Sequence, residues 1–137
     1  MARIVLTDAS VTINSVDLSQ YIASVTLNST REVVDTTGFS TSGARTRVAG
    51  LQDNSITLEF HQDFASNAVE ATIYPLIGST TSIVVKPTSS AVGTTNPSYT
   101  CTALVSEWTP LAGTVGELAT ASVTWSISGA ITKATSA

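Results

Sequence analysis

Hydrophobic and polar positions alternate along most of this chain. A two-residue period is the mark of strands with one face on a core. Ile4 to Leu6 reads as a short apolar strand or docking arm. Ser10-Val11-Thr12-Ile13 alternates, Asn14-Ser15 can turn, and Val16 begins a return, which predicts a small hairpin. Asp17 to Ile22 does not alternate and fits one helical turn capped by Asp17 or Ser19. From Ser24 to Asn28, Val25 and Leu27 share one face and Thr26 takes the other, and Glu32 to Asp35 continues as strand. The stretch TTGFSTSGARTRVAG, Thr36 to Gly50, holds three glycines and reads as a long inter-strand loop, a class that is usually functional or disordered. Asp53-Asn54 can turn into the cleanest strand, in which Ile56, Leu58 and Phe60 face the core while Thr57, Glu59 and His61 face away.

One segment switches period. Asn67 with Glu70 three residues on reads as a capped helix start, and Val69, Ile73, Leu76 and Ile77 follow at helical spacing. Pro75 would clash with the carbonyl of Ala71, so the spacing predicts a short helix kinked at Tyr74 and ending at Gly78. Strands return over Thr81–Pro87, Ser98–Trp108 and Leu118–Ser128, separated by turn-rich loops. The small-residue stretch from about 132 reads as a frayed tail. The expectation is a mostly-β single domain over 1–137: a two-sheet β-sandwich or barrel-like body with one short flanking helix and one long inter-strand loop.

Composition sharpens this picture. Ser and Thr number 42 of 137 residues, and Val, Ile and Thr together number 46, a bias that fits pleated strands. Charged residues are only 12%, with a net charge of −4, which excludes a coiled coil, a charged disordered tail and a basic nucleic-acid binder. A compact monomer of this mass exposes roughly 6,700 Å², so the charges are thinly spread. Interfaces are depleted in Lys, Glu and Asp, and such a surface suits a protein whose faces are covered by neighbours; a secreted Ser/Thr-rich sandwich has the same look. No run of about 18 apolar residues is present, so no membrane anchor is expected. No basic n-region with an apolar stretch opens the chain, so no signal peptide is expected either.

Candidate chemistry is sparse. Cys101 is the single cysteine, alternates with Tyr99, Ala103 and Val105, and reads as a buried small hydrophobe. Glu59, His61 and Asp63 stand at i, i+2 and i+4, a spacing that could bring two carboxylates around an imidazole, but a solvated strand face is the better reading of it. No nucleophile motif, P-loop or dinucleotide fingerprint accompanies them, so no catalytic residue, metal site or cofactor is assigned. Arg45 and Arg47, with Arg31 just before the loop, read as a solvated charged cluster or, as the better functional reading, a contact with an acidic protein partner. Trp108 and Trp125 could form a carbohydrate platform, though Trp125 alternates with Val123 and Ile127 as core residues do.

The segment VDLSQYIASVTLNSTREVVDTTGF, the loop STSGARTRVAGLQ and the return strand DNSITLEFHQDF, which together span Val16 to Phe64, resemble the tail tube (major tail) proteins of long-tailed bacteriophages. Related tubes serve contractile tails and injection systems. The helix from Asn67 and the closing strands fit the same plan, so the resemblance covers most of the chain. It rests on the order of elements rather than on a fingerprint motif. It implies a β-sandwich subunit that associates with itself into hexameric rings, stacked into a hollow tube through which DNA passes without specific binding. It also implies virion localisation after assembly in the host cytoplasm, with the tape measure, tail tip and terminator proteins as further partners. The C-terminal immunoglobulin-like domain of some members is not expected here. Under this resemblance Phe39, Arg45 and Arg47 are the candidate inter-subunit residues of the loop. Thr57 and Glu59, opposite the core face, are the candidate lumen-facing residues. The rival is another virion or surface β-sandwich, a capsid decoration or a carbohydrate-binding module. An enzyme would have to be built around His61.

Overall fold

The computed structural model describes residues 5–39 and 42–136; Ile4 of the expected arm, Ser40 and Thr41 of the expected loop and Ala137 of the expected tail lie outside them. The strands are β1 (Ser10–Ile13), β2 (Val16–Asp17), β3 (Ile22–Asp35), β4 (Arg47–His61), β5 (Thr80–Lys86), β6 (Ser98–Leu104), β7 (Thr120–Ile127) and β8 (Thr132–Ala134). All pairings are antiparallel, in the order β2-β1-β5-β6-β7-β4-β3, with β8 also on β6. The sheet does not close into a barrel.

One hydrogen-bonded network nevertheless makes two layers. Residues 120–127 of β7 lie along β4. Only Ala103 opposite Ile127 joins β7 to β6. Past Gly129, whose φ of 94° suits a residue without Cβ, the chain resumes as β8 along Ser98–Thr100 of β6. A strand that changes partner at a bend is how two faces of a sandwich are cornered. One layer is therefore β3-β4-β7, the other β2-β1-β5-β6-β8, and their inward side chains form one cluster. Thr132–Ala134 are paired there, in place of the frayed tail expected from 132.

Register follows the alternation. Ile56, Leu58 and Phe60 of β4 stand opposite Trp125, Val123 and Ala121 of β7, and all are buried. Val11, Ile13, Ile83, Val85, Cys101 and Ala103 line the facing layer. Burial pushes the Cys101 thiol up from its ordinary value, as for an inert core thiol. Trp125 is fully buried and its Nε1–H donates to the Glu107 carbonyl at 2.8 Å.

Three expectations are corrected locally. Asp53-Asn54 is no turn: β4 runs straight through it, and the buried Asn54 donates from Nδ2 to the Gly129 carbonyl at 2.9 Å. Val105 stays in the core but leaves the sheet, its N–H turning to the Ser79 carbonyl at 2.9 Å, so β6 ends before Trp108. Asn67 takes φ 60° and Ala68 becomes the cap residue. The helix Val69–Ile73 passes directly into a 3-10 turn, Tyr74–Leu76, with Pro75 near its start, and Gly78 follows at φ 85°. The kink at Tyr74 and the stop at Gly78 are where the sequence puts them. No helix among the described residues is long and apolar enough to cross a membrane.

Candidate assembly surface

The expected 36–50 loop is shortened at its far end, where residues 47–50 belong to a strand. β3 and β4 are 14 and 15 residues long and pair out to Asp35 opposite Arg47, so only 36–46 connect them. The register shifts between Arg31 and Val33. Gly50 sits beside that shift: a Cβ there would approach Glu32 Cβ and Val34 Cγ2 at 3.0 Å. Beyond it the hairpin leaves the body. Val33, Val34, Val48 and Leu51 are exposed, and Phe39 at the tip is fully so. The chain exposes 8570 Å² in all, well above the roughly 6,700 Å² of a compact monomer. Exposed large apolar side chains are among what it leaves uncovered.

The tip is braced by its own polar groups. Thr36 N–H donates to the Thr46 carbonyl at 2.9 Å, and Thr37 N–H donates to Asp35 Oδ1 at 2.8 Å. The Thr37 hydroxyl and N–H, and after them the Arg45 guanidinium, hold the Asp35 carboxyl below the usual carboxylate range. Arg45 Nη1 lies 3.0 Å from Asp35 Oδ2 with both side chains exposed, a pair of little energetic weight. Arg45 therefore braces the tip, while Arg47, in β4 rather than in a loop, and Phe39 are exposed, and their side chains have no hydrogen-bond or ion-pair partner among the described residues.

β3 is the free edge of its layer, and it carries neither Lys nor Pro. Long unguarded edges are templates for pairing with another chain. The face of this layer that points away from the core is nearly uncharged. It holds Ser24, Thr26 and Asn28 on β3, Ser55, Thr57 and Glu59 on β4, and Ser122, Thr124 and Ser126 on β7, all in register. Thr57 and Thr124 meet through their hydroxyls at 3.2 Å, and the exposed Glu59 is the one charge of the nine.

The other end holds the helix and the segment after β6. Glu70 Oε2 accepts from Trp108 Nε1 at 2.8 Å, and Trp108 packs edge-on against Phe60 with ring centres 5.5 Å apart. Trp108 is thereby a clasp rather than an open platform. Gln62 pins both ends of the following loop: its Nε2 donates to the Pro110 carbonyl at 2.6 Å and its N–H to the Ala119 carbonyl at 3.0 Å. Between these pins Leu111, Val115 and Leu118 stand exposed, a feature that sequence reading missed although three large apolar residues in a Gly/Thr loop were its signal. Glu59 and His61 share the outer face of β4, whereas Asp63 lies past its end and accepts from Ala65 N–H at 2.9 Å. Among the described residues no group of three His, Cys, Asp or Glu side chains could hold a metal ion.

No protein-family profile matches the chain. No curated protein matches it by sequence. Solved structures do. A chain from the virion of a native gene transfer agent particle is similar over 96% of this chain and 99% of its own, with a TM-score of 0.77 at 15% identity. A chain from the tail of an empty gene transfer agent particle, of C6 symmetry, is similar over 82% and 81%, with a TM-score of 0.59 at 17% identity. A chain from the six-fold symmetrised baseplate of the anti-feeding prophage is similar over 98% and 97%, with a TM-score of 0.58 at 12% identity. The fold is thus one found in phage-like and phage-tail-like particles, in agreement with the resemblance carried by residues 16–64.

Proposed function

We propose that this chain is a structural tail protein, a non-enzymatic subunit that assembles with itself into hexameric rings stacked as a tail tube, the conduit for DNA delivery. The observation that carries the reading is the fold match along nearly the whole chain to a subunit of a phage-like virion. The six-fold symmetry of two of the similar assemblies supports the ring. Three features of this chain support self-association independently: the unguarded β3 edge, the uncovered hairpin and the sparse surface charge. Tape measure, tail tip and terminator proteins are the further partners of such a tube, the virion tail is its location, and the host cytoplasm its place of assembly. The carbohydrate-module rival loses its platform, because Trp125 is buried and Trp108 is held by Glu70.

Electron microscopy of the concentrated protein tests this. Hollow tubes or rings of constant diameter are expected; a monomer that persists at every concentration overturns it.

In this reading the Ser/Thr face of β3-β4-β7 lines the lumen, with Thr57 and Glu59 on it. A water-filled channel can take the free face of a sheet whose other face packs on the core. DNA is retained by Lys and Arg through counterion release, and a wall of hydroxyls bearing Glu59 offers none. At physiological salt the Debye length is about 8 Å, so repulsion acts near the wall. Glu59→Lys is expected to leave assembly intact and to slow DNA ejection, measured as ejection rate from particles carrying the change. Unchanged ejection removes Glu59 from the lumen.

A further inference from the structure

Both lysines of the sequence, Lys86 and Lys133, line one groove of about 530 Å³ between the two layers. Its apolar wall includes Val25 and Leu27 of β3, Val85 of β5 and Tyr99 of β6. The groove opens at the hairpin end, and the five Lys and Arg side chains of the described residues all belong to that end: Arg31, Arg45 and Arg47 on the hairpin, Lys86 and Lys133 on the groove. Five carboxylates, Asp8, Asp17, Glu32, Asp35 and Asp53, share that end, but Lys86 and Lys133 are the charged residues of the groove itself, whereas the opposite end is acidic alone. From Glu59 through the helix, and again from Val105 to Thr120, there are five carboxylates and no Lys or Arg.

The 111–118 loop projects from that acidic end. Gln62 clamps its two ends, and a turn closed by Glu117 N–H on the Thr114 carbonyl at 3.0 Å, with Gly116 at φ 88°, shapes its tip. Leu111, Val115 and Leu118 are 79%, 101% and 63% exposed. Glu117 is the only charge of the loop and has no cation of its own chain beside it among the described residues. A clamped loop loses little further entropy on docking, the condition under which apolar burial is kept as affinity.

We infer that the 111–118 loop of one copy seats in the Lys86/Lys133 groove of a second copy, its leucines and Val115 against Val25, Leu27 and Tyr99, and Glu117 between the two lysines. The loop does not reach the lysines of its own groove. Residues 120–127 alone separate the two ends by about 23 Å at 3.3 Å per strand residue. The contact is therefore head-to-tail, and such contacts propagate. It rests on the tube reading and specifies one of its joints, the one between copies stacked end to end. Burial of three exposed aliphatic side chains and one pairing of a carboxylate with two ammonium groups are the chemistry that would recognise the partner.

The test compares polymerisation of wild type, Val115→Asp, Glu117→Lys and the triple variant Glu117→Lys/Lys86→Glu/Lys133→Glu by sedimentation and electron microscopy, with circular dichroism confirming that each is folded. Val115 and Glu117 are exposed, so folding is expected to be untouched. The inference expects a rise of at least tenfold in the concentration needed for polymers with Val115→Asp and Glu117→Lys, and recovery in the triple variant. Wild-type tubes with unchanged polymerisation of both single variants overturn this joint and leave the tube reading standing. A wild type that never polymerises overturns both.

Discussion

Cutting the β3–β4 hairpin back to the body is expected to leave a folded monomer that no longer polymerises. The excision replaces residues 31–52 with a two-residue Asn-Gly turn between Thr30 and Asp53, which face each other in register. It removes no residue of the hydrophobic cluster, because the cluster on β3 and β4 ends at Leu27 and Ile56. It does remove five of the exposed large apolar side chains: Val33, Val34, Phe39, Val48 and Leu51. Each contributes about 1.5–3 kcal/mol when fully buried. Even a fraction of that sum, at 1.36 kcal/mol per factor of ten, raises the assembly concentration by about three orders of magnitude. Ordering a connecting segment costs about 1–2 kcal/mol per residue, and the internal bracing by Asp35, Thr37 and Arg45 reduces that cost before assembly. Thermal melting within a few degrees of wild type, with no sedimenting polymer, is the expected pair of results. Tubes at normal yield from the shortened chain contradict it.

Trp125→Ala is expected to act oppositely, on the monomer itself. The ring is the largest fully buried side chain and sits opposite Ile56 across β4 and β7. Truncating such a residue costs about 3–5 kcal/mol through lost transfer energy and the cavity left behind. It also strips the Glu107 carbonyl of its indole donor, which loosens the chain where it leaves β6 for the outer loop. Against a total of about 5–15 kcal/mol, most of the population is expected to unfold on mild heating, with a melting temperature lower by about 10–20 °C. Denaturant titration of the soluble fraction measures the loss. Trp108→Ala, at a half-buried ring held by Glu70, is expected to cost less than half as much. Equal losses at the two tryptophans would contradict this placing of the core.

The two cases separate what local sequence conveys from what it does not. Ile56, Leu58 and Phe60, and Val123, Trp125 and Ile127, sit between one core and one polar face, so their alternation was readable without a structure. The outer hairpin has no core on either face: Val33 and Val34 are neighbours in sequence, and both are exposed. With no burial to impose a period, the strand extension from Arg47 to Gly50 looked like loop, and the register shift at Gly50 hid it further. Asn54 reads locally as a turn residue, yet its side chain answers a carbonyl at Gly129, 75 positions away. The single-pair join of β6 to β7, which makes one network into two layers, is equally non-local. Of the candidate site residues, Phe39 is exposed and stays a proposed anchor, whereas Arg45 is bound within its own hairpin. The outward position of Glu59 and Thr57 follows from alternation, their place in a lumen only from the resemblance, and the structure adds the hydroxyl-rich neighbours that β3 and β7 bring beside them. The groove that gathers Lys86 and Lys133, 47 positions apart in the chain, exists only after β8 has paired with β6.

A helical reconstruction of the polymerised protein tests the central claim most directly. The account predicts six copies per ring, with the β3 edge of each hydrogen-bonded to a neighbouring copy and the Ser/Thr face bearing Glu59 turned to the lumen. A polymer in which residues 22–35 face solvent along their free edge, or whose lumen is lined by the helix and the 111–118 loop, would contradict it.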